Sequence, residues 1–466
     1  MRSVLAIDMG SSSIRGYLGT WHRGTLSLTE VHRAPHEAKV SNGSLTWDVD
    51  RFIAEAVRAC EHATCELGHA PDAVAVDGWG VDFGYVDSRG SVVGPVYAYR
   101  DRRGAVGREL MRHRVPEDRQ FALSGVAPQD INTGYRLAEM MASAGELPGE
   151  HIMFIQDIVA RALLTADIFG WDEGSDPGPW ASRGIASTSG LLDVDHADWV
   201  SEVARAAGVT DHLPPLADEL TVIGRRGPTR IVRAGSHDTA CAVYSLDARP
   251  GDIFVSCGSW AIVGAVADPV IDPAVTNEAT TCGRNRVQVN LTGMWLAQEC
   301  RRHFASLGED VSFERLDRLA EEADSTGVLI DPDDPSLTEP GEMPRRVNDL
   351  LEAQGAERVE DIGSMLRLIN ESVSHSIARA VADVRRLTGA RGIVHLMGGG
   401  TKDRLLVRLL ARELGQVRVA AHEASVLGNV IAQLHVLGVP REETDAWLAE
   451  AGIGVTVTDN KLALRN

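Results

Sequence analysis

Short apolar runs that end in polar, glycine-rich turns recur along this chain. They comprise residues 4–7, 73–76, 230–234, 253–255 and 392–397. Their length and their bounding residues predict buried strands. Two longer stretches, residues 47–67 and 366–384, carry apolar residues every three to four positions and therefore predict amphipathic helices. Strands and helices mixed in this way predict an α/β fold.

The turn with the clearest chemistry comprises residues 235–240, Gly-Ser-His-Asp-Thr-Ala, between a predicted strand and an apolar, helix-like stretch. Ser236 is a natural N-cap, and Asp238 would lie in the first helical turn, where the helix dipole favours an ionised carboxylate. An ionised carboxylate within about 3 Å of a substrate hydroxyl acts as a general base. A polar helix cap has the same composition, so these residues alone leave both interpretations open.

The N-terminal strand leads into Asp8, a Gly/Ser turn with serines at 11–13, and a second apolar stretch at 14–19. This pattern predicts a hairpin whose turn amides and hydroxyls hold phosphate oxygens, while Asp8 holds a hydrated Mg²⁺ and Arg15 adds positive charge. Hairpins with polar tips are common, so the hairpin alone is a weak signal.

The second half of the chain repeats this hairpin design at residues 253–266, with Gly258 and Ser259 in the turn. The two halves therefore resemble distant structural copies. Three glycines at 398–400 separate a predicted strand from a predicted helix, which lets the backbone approach a phosphate or a flat ring closely. A tight turn explains the three glycines nearly as well.

Residues 77–84 combine two carboxylates, three glycines and Trp79 after a predicted strand. A tryptophan ring covers the C–H groups of a sugar, while acids and amides bind its hydroxyls, so this loop is a candidate sugar site. A glycine-rich loop around a core tryptophan is the alternative.

The chain has 466 residues, of which 44% are hydrophobic and 24% charged, as in an ordinary globular protein. This length predicts two domains, and Arg-Pro-Gly within residues 248–252 predicts a turn at their boundary. Residues 170–184, rich in glycine and proline, predict a long surface loop.

The formal net charge of −20 argues against a nucleic acid or an anionic membrane as partner. The chain has neither a signal-peptide pattern nor an apolar run of about 18 residues, so we expect a cytoplasmic protein without a membrane partner. Its six cysteines lack zinc-type spacing and the density of a disulfide scaffold, so we expect reduced thiols.

Together these segments resemble the FGGY family of carbohydrate kinases, and within it the rhamnulokinases, in family order over nearly the whole chain. The matching stretches are residues 8–15, 77–84, 99–103, 235–240, 256–260, 290–302, 398–400 and 423–429, with 330–344 adding to the rhamnulokinase likeness. The resemblance implies an α/β protein of two actin-like (ribonuclease-H-like) domains, residues 1–247 with the sugar site and residues 248–466 with the nucleotide site. It also implies that sugar and ATP meet in a catalytic cleft between them.

The resemblance further implies that Asp238 accepts a proton and that Asp8 helps to hold Mg²⁺. The sugar-contacting positions that it implies are Gly80, His237, Asp238, Thr239 and Asn290, to which the chemistry of its loop adds Trp79. The ATP-contacting positions are Ser11, Ser12, Ser13, Ile14, Arg15, Ser259, Gln298 and Gly400. The sequence departs from the usual pattern at Ile14, where glycine is common, and at Ser259, where threonine is common.

By the same resemblance, the protein uses ATP to phosphorylate L-rhamnulose at its 1-hydroxyl in rhamnose catabolism, as a monomer or homodimer. Composition and hairpins do not report sugar stereochemistry. Another ketose kinase of this family, acting on L-fuculose or a ketopentose, and a plain ATPase are therefore alternatives. A sugar- and nucleotide-binding regulator without catalysis is a further alternative, although Asp8 and Asp238 argue against it.

Overall fold

A computed structural model of the protein describes residues 1–10, 12–88, 90–165, 178–246, 248–451 and 455–458. The strands are β1 (Arg2–Met9), β2 (Ser13–His22), β3 (Thr25–Pro35), β4 (Lys39–Ser41), β5 (Ser44–Trp47), β6 (Ala73–Gly78), β7 (Phe83–Val86), β8 (Val92–Val93), β9 (Val96–Tyr97), β10 (His151–Phe154), β11 (Ala181–Ser182), β12 (Leu216–Ala217), β13 (Thr221–Arg226), β14 (Thr229–Arg233), β15 (Ile253–Cys257), β16 (Trp260–Ala267), β17 (Thr276–Ala279), β18 (Asn285–Thr292), β19 (Val394–Met397), β20 (Gln416–Val419) and β21 (Val455–Thr458).

The helices are α1 (Val49–Leu67), α2 (Arg103–Arg112), α3 (Glu117–Ser124), α4 (Thr133–Ala144), α5 (Ile155–Thr165), α6 (Arg183–Ala186), α7 (Ser201–Ala207), α8 (Asp238–Tyr244), α9 (Trp295–Ser306), α10 (Phe313–Glu322), α11 (Met343–Ala353), α12 (Ile362–Thr388), α13 (Arg404–Leu414), α14 (Ala424–Val436) and α15 (Arg441–Glu450). Short 3₁₀ turns lie at Thr210–His212, Pro335–Leu337 and Gly399–Lys402.

The chain forms two compact units. Unit 1 comprises Met1–Asp247, Ala267–Arg286 and Ala424–Ala451, and unit 2 comprises Ala248–Val266, Val287–Glu423 and Gly452–Asn466. The division into residues 1–247 and 248–466 stays a prediction. The compact units differ from it in two internal segments, which the sequence assigned to the C-terminal domain and which pack in unit 1.

One face of α14 explains why the second of these segments belongs to unit 1. Ser425, Asn429 and Gln433 lie four residues apart, and therefore on one helical face. Their side chains donate hydrogen bonds to Asp8 (2.6 Å), to Asp77 (2.6 Å) and to a backbone carbonyl of β1 (3.0 Å), respectively. Three polar contacts from one helix face thus attach α14 to the strands of unit 1.

The main sheet of unit 1 has the strand order β13-β14-β6-β1-β2-β3. Strands β1 and β2 form the predicted antiparallel hairpin, in which Asp8 pairs with Arg15. Strands β1 and β14 both run parallel to β6, and Asp8 lies opposite Asp77. Because these three strands point in one direction, their carboxyl ends meet at the same edge of the sheet, where α/β proteins bind ligands.

The predicted helix at residues 47–67 is confirmed as α1. The Asp48 side chain accepts a hydrogen bond from the Arg51 amide at its start, and Gly68 ends it with a left-handed φ of 72°. Its buried face contributes Phe52 and Cys60 to the core cluster that also contains the side chains of β1. The apolar residues that recur with the helical period in the sequence therefore form the face on which this helix packs.

Unit 2 repeats the strand plan of unit 1. Its strands follow the order β18-β16-β15-β19-β20-β21, in which β15 and β16 are antiparallel and β15, β19 and β20 are parallel. The long helix predicted around residues 366–384 is confirmed as α12, which buries Leu366, Ile369 and Val373 in the core of this unit. The repeated hairpin that the sequence indicated thus belongs to a repeated sheet.

The surface loop predicted at residues 170–184 is only partly open to comparison. Residues 170–177 lie outside the described part of the chain. The end of the predicted loop is not a surface loop, because Trp180 is 4% exposed and is followed by β11 and α6. The Trp180 indole donates to the buried Asp157 carboxylate (2.9 Å), which holds this segment in the core.

Within the described ranges, no helix combines the length and apolar character that crossing a bilayer requires.

Candidate active site

Three carboxylates lie at the carboxyl ends of the three parallel strands of unit 1. Asp8 is near the end of β1, Asp77 lies opposite it on β6, and Asp238 follows β14. An isolated bridge pairs Gly78 with His237, and the Gly78 amide donates to the Ser236 carbonyl (3.2 Å). The candidate sugar loop and the candidate base are therefore side by side.

The turn that carries Asp238 needs a glycine at its start. Gly235 has φ +117°, and a Cβ there would lie 2.5 Å from Thr281 Oγ1. Ser236 was the predicted N-cap, but this is wrong, because His237 caps α8 and its Nδ1 accepts from the Thr239 amide (3.1 Å). The Ser236 hydroxyl instead donates to Glu219 (3.3 Å).

Asp238 lies in the first turn of α8, as predicted, and its side chain is 32% exposed. Its Oδ1 accepts hydrogen bonds from the Thr239 amide and from the Thr239 hydroxyl (3.1 Å). Desolvation by the surrounding protein, and then the charge of Asp8, raise the pKa of Asp238 to about 6, while Thr239 and Arg286 oppose the rise. At pH 7 about nine in ten molecules keep this carboxylate ionised, so it combines access to a ligand with the ability to accept a proton.

His237 is held as a neutral imidazole. Its Nδ1 accepts from the Thr239 amide, so the proton of the neutral ring is on Nε2, which lies 3.7 Å from Glu278 Oε2. Burial, and then the charge of Arg286, hold the pKa of His237 well below its usual range. Arg286 in turn donates to Glu278 (2.8 Å). Glu278 and Arg286 were missed by the sequence analysis, since they lie some 40 residues away in a segment assigned to the other domain.

The carboxylate pair of β1 and β6 is a candidate metal centre. Asp8 Oδ2 accepts from Arg15 (2.7 Å) and Ser425 (2.6 Å). Asp77 Oδ2 accepts from Asn429, whereas its buried Oδ1 has no hydrogen-bond partner among the described residues. Burial, and then the charge of Asp8, raise the pKa of Asp77 well above its usual range.

A divalent cation would suit these two side chains. It would relieve the repulsion between two adjacent buried carboxylates and satisfy the free oxygen of Asp77. Among the described residues, no group of three His, Cys, Asp or Glu side chains is arranged to hold a metal. The pair therefore fits the way in which proteins bind Mg²⁺, with one or two carboxylates and the remaining ligands from water and substrate phosphates.

The turn between β1 and β2 contains the predicted phosphate-binding residues. The Gly10 amide donates to the Ser13 carbonyl (3.0 Å), and the Ser12 carbonyl accepts from the His36 amide (3.0 Å). Ile14 is 1% exposed and belongs to the core, so it supplies only backbone to the turn. Ser11, also a predicted ATP contact, lies outside the described residues.

The candidate sugar loop is built around a buried carboxylate. Asp82 Oδ2 accepts from the indoles of Trp47 (2.6 Å) and Trp79 (2.8 Å), and its Oδ1 accepts from Arg136 (2.7 Å). Trp79 is 8% exposed, so most of its ring packs in the core. A Cβ at Gly80 would lie 3.0 Å from Thr188, so the backbone passes close to that side chain.

The predicted residues of unit 2 form a separate set. The Ser259 hydroxyl donates to Gln298 Oε1 (2.9 Å), and Asn290 Oδ1 accepts from Gln288 (3.4 Å). Gly400 lies in a 3₁₀ turn after β19, where a Cβ would be 2.7 Å from Cys257 Sγ.

Comparisons with known proteins identify relatives of the chain. Residues 253–437 match the model described as the FGGY family of carbohydrate kinases, C-terminal domain. A rhamnulokinase from Bacteroides thetaiotaomicron is 26% identical over 470 residues, which cover 95% of this chain and 92% of that protein. A rhamnulokinase from Yersinia pestis (strain Pestoides F) is 28% identical over 460 residues, with 93% and 90% covered. Residues 253–437 therefore match the C-terminal domain of the FGGY family of carbohydrate kinases, and the chain as a whole is similar to rhamnulokinases.

Solved structures show the fold of the chain. Xylulose kinase from Rhodospirillum rubrum matches it with a TM-score of 0.77 at 18% identity, covering 98% of this chain and 94% of the other. Ligand-bound xylulose kinase from Lactobacillus acidophilus matches with a TM-score of 0.79 at 13% identity, covering 99% and 94%. The expected α/β fold with two actin-like domains is confirmed, and the enzyme is a sugar phosphotransferase. The roles of its individual residues stay predictions.

Proposed function

We propose that this FGGY kinase uses ATP to phosphorylate L-rhamnulose at its 1-hydroxyl, yielding L-rhamnulose 1-phosphate. The kinase chemistry rests on one observation, the partly exposed Asp238 carboxylate beside the candidate sugar loop. The choice of sugar rests on the rhamnulokinases from Bacteroides and Yersinia, which resemble the chain over at least 90% of their own length.

In this proposal Asp238 takes the proton of the attacking hydroxyl. Phosphoryl transfer needs little covalent chemistry from a protein beyond positioning, charge neutralisation and a base for the nucleophile. The two hydrogen bonds from Thr239 fix the carboxylate through Oδ1. Oδ2 makes neither of these bonds and is the oxygen that we assign to the hydroxyl.

Asp8 and Asp77 would hold Mg²⁺, which neutralises phosphate charge when it is bound. Arg15, paired with Asp8 at 2.7 Å, adds a positive charge next to the turn of the first hairpin. The backbone of that turn and the Ser259–Gln298 pair of unit 2 are the proposed ATP contacts. His237, Gly80 and Asn290 are the proposed sugar contacts.

A substrate panel tests the sugar assignment. We expect kcat/KM to be highest for L-rhamnulose among L-rhamnulose, L-fuculose, L-ribulose, L-xylulose, D-xylulose and glycerol. A site that hydrogen-bonds each hydroxyl can reject analogues by several orders of magnitude. A tenfold preference for another sugar, about 1.4 kcal/mol in transition-state free energy, would contradict the sugar assignment and leave the kinase assignment intact.

A single substitution tests the base. Asp238→Asn keeps the side-chain shape and removes the proton acceptor, so we expect kcat to fall by roughly 10² to 10⁴ while calorimetry still detects sugar binding. Asp118→Asn is the matched control, because Asp118 is an exposed carboxylate in the first turn of another helix, α3. Turnover of Asp238→Asn near that of the control would exclude the proposed role.

A further inference from the structure

Glu219 holds the turn that precedes the catalytic carboxylate. Its Oε2 accepts from the Gly235 amide (3.2 Å) and from the Ser236 hydroxyl (3.3 Å). Its Oε1 accepts from the Gly184 amide (3.0 Å). One carboxylate thus joins the start of α6 to the two residues directly before His237. The chemistry proposed above gives this side chain no role.

The contact between Glu219 and Gly184 requires the glycine. A Cβ at Gly184 would collide with Glu219 Oε1. The next residue along the chain, Leu220, has φ +56°, a left-handed conformation that is strained for a residue other than glycine. Its amide donates to the Arg233 carbonyl (2.8 Å), which fixes the segment that bears Glu219 to β14. Strained positions of this kind persist where the surrounding structure restrains them, and they cluster at functional sites.

Two charged groups of unit 1 surround Glu219 and affect its pKa. Asp157 of α5 and Arg233 of β14 act on it electrostatically, and Arg233 stacks 4.9 Å from the centre of the Trp180 ring. Burial, and then the charge of Asp157, raise the pKa of Glu219 to about 7, against the Gly184 amide, Arg233 and Ser236. A polar group of this kind is costly to desolvate unless it accepts hydrogen bonds, which the turn supplies.

The turn is held from two sides. Glu219 binds the Gly235 amide and the Ser236 hydroxyl, and the Gly78 amide donates to the Ser236 carbonyl (3.2 Å). Among the described residues, removing Glu219 would leave the contact from β6 and a weak contact from the Cys241 thiol to the Gly235 carbonyl (3.5 Å). The residues after the turn, including Asp238, would then be free to shift.

We propose that Glu219 is a positioning residue for phosphoryl transfer, which holds the 235–236 turn so that Asp238 is aimed at the acceptor hydroxyl. This inference rests on the proposed role of Asp238 as the base. Glu219 acts through the backbone of the turn and not on the substrate. A misplacement of a catalytic group by about 1 Å costs about 10² in rate, so the effect belongs in kcat rather than in KM.

Steady-state kinetics with saturating ATP and varied sugar test this role. We expect Glu219→Ala to lower kcat by about 10- to 100-fold, while KM for the sugar changes by less than about threefold. Glu219→Gln keeps one side-chain oxygen for the Gly235 amide but sets its NH2 group against the Gly184 amide, so we expect a loss of kcat clearly smaller than that in Glu219→Ala. The control is Asp218→Asn, because the neighbouring Asp218 is 75% exposed and bonds Arg183 instead of the turn.

Hydrogen–deuterium exchange gives a readout that does not depend on activity. We expect the amides of residues 234–239 to exchange faster in Glu219→Ala than in the wild type or in Asp218→Asn, without faster exchange in unit 2. Wild-type kcat in Glu219→Ala would overturn the proposal. So would unchanged exchange in this turn, or a loss in Glu219→Gln as large as that in Glu219→Ala.

Two further comparisons keep the outcome clear. If Glu219→Ala fails to fold, Glu219→Asp replaces it, because the shorter side chain keeps the charge but withdraws it from the turn. Wild-type kcat in Glu219→Asp would then overturn the proposal. If Asp238→Asn is inactive while Glu219→Ala is fully active, the positioning role fails and the base stands. If Asp238→Asn remains active, the base assignment fails, and the proposal fails with it even where exchange in the turn still responds to Glu219.

Discussion

The two sheets of this kinase share a strand plan but differ in charge at equivalent positions. In unit 1, Asp8 of β1 lies opposite Asp77 of β6. Asp8 is close to the hairpin turn, and Asp77 directly precedes Gly78. In unit 2, the corresponding strands β15 and β19 place Ser256 opposite Met397. The same strand plan therefore occurs both with and without carboxylates at this place.

The glycines that follow these pairs show what the fold does require. A Cβ at Gly78 would lie 2.8 Å from the Met9 carbonyl oxygen, and one at Gly398 would lie 2.8 Å from that of Cys257. The close approach of backbone to backbone is thus present in both units. Carboxylates are present in the Asp8–Asp77 pair and absent from the Ser256–Met397 pair. Two adjacent buried carboxylates cost stability, so we attribute them to chemistry and not to folding.

The largest effect on kcat should come from removing a carboxylate from the Asp8–Asp77 pair, which makes it more like the uncharged Ser256–Met397 pair. Asp8→Asn removes one carboxylate, and we expect kcat to fall by about 10² to 10³, because loss of a metal-binding charge removes several kcal/mol of transition-state stabilisation. The concentration of Mg²⁺ needed for half-maximal activity should rise. Titration of activity with Mg²⁺ measures both effects, and an unchanged Mg²⁺ dependence would contradict the metal role of Asp8.

The pH dependence should follow the carboxylates of unit 1. Asp238 must be ionised to accept a proton and its pKa is raised to about 6, so activity is lost as the pH falls through 6. We expect kcat/KM at pH 5 to be about tenfold below its plateau, since kcat/KM reports the groups of the free enzyme. A flat profile between pH 5 and 7 would be inconsistent with Asp238 as the base.

Alanine at the paired glycines should destabilise both units. Gly78→Ala and Gly398→Ala insert a Cβ against a carbonyl oxygen, and we expect each to cost about 1–3 kcal/mol in the free energy of unfolding. Gly398→Ala should cost more, because Gly398 also has φ +86°. The control is Gly10→Ala, where a Cβ would meet its nearest atom at 3.4 Å. Urea unfolding compares the three, and equal stability of all of them would refute the shared constraint.

The smallest effect should come from the neutral turn of unit 2. Ser259→Ala removes a hydroxyl that donates to Gln298. The same hydroxyl is a proposed ATP contact, and one hydrogen bond contributes about 1 kcal/mol, so we expect KM for ATP to rise by about fivefold with kcat and the pH profile nearly unchanged. Ser259→Thr keeps the hydroxyl and serves as the matched variant. A kcat loss as large as that of Asp8→Asn would mean that the two turns do not differ in the proposed way.

Local patterns in the sequence determined most of the strands, helices and turns discussed above. Strand runs, the helical periods of α1 and α12, and the glycine before Asp238 are encoded by residues that are close along the chain. For the same reason the position of Asp238 in the first turn of α8 was correctly predicted. The two hairpins could also be recognised as copies, since each has its turn between two apolar runs.

Only the tertiary structure decided which distant residues surround these turns. Asp8 is bonded by Ser425 and Asp77 by Asn429, 417 and 352 residues away in sequence. The Ser236 hydroxyl binds Glu219, 17 residues earlier, and His237 caps α8. Hydrophobic periodicity and cap preferences act within a few residues. The partners of a buried polar group are set by how sheets and helices pack, because each such group must find a hydrogen bond wherever the fold supplies one.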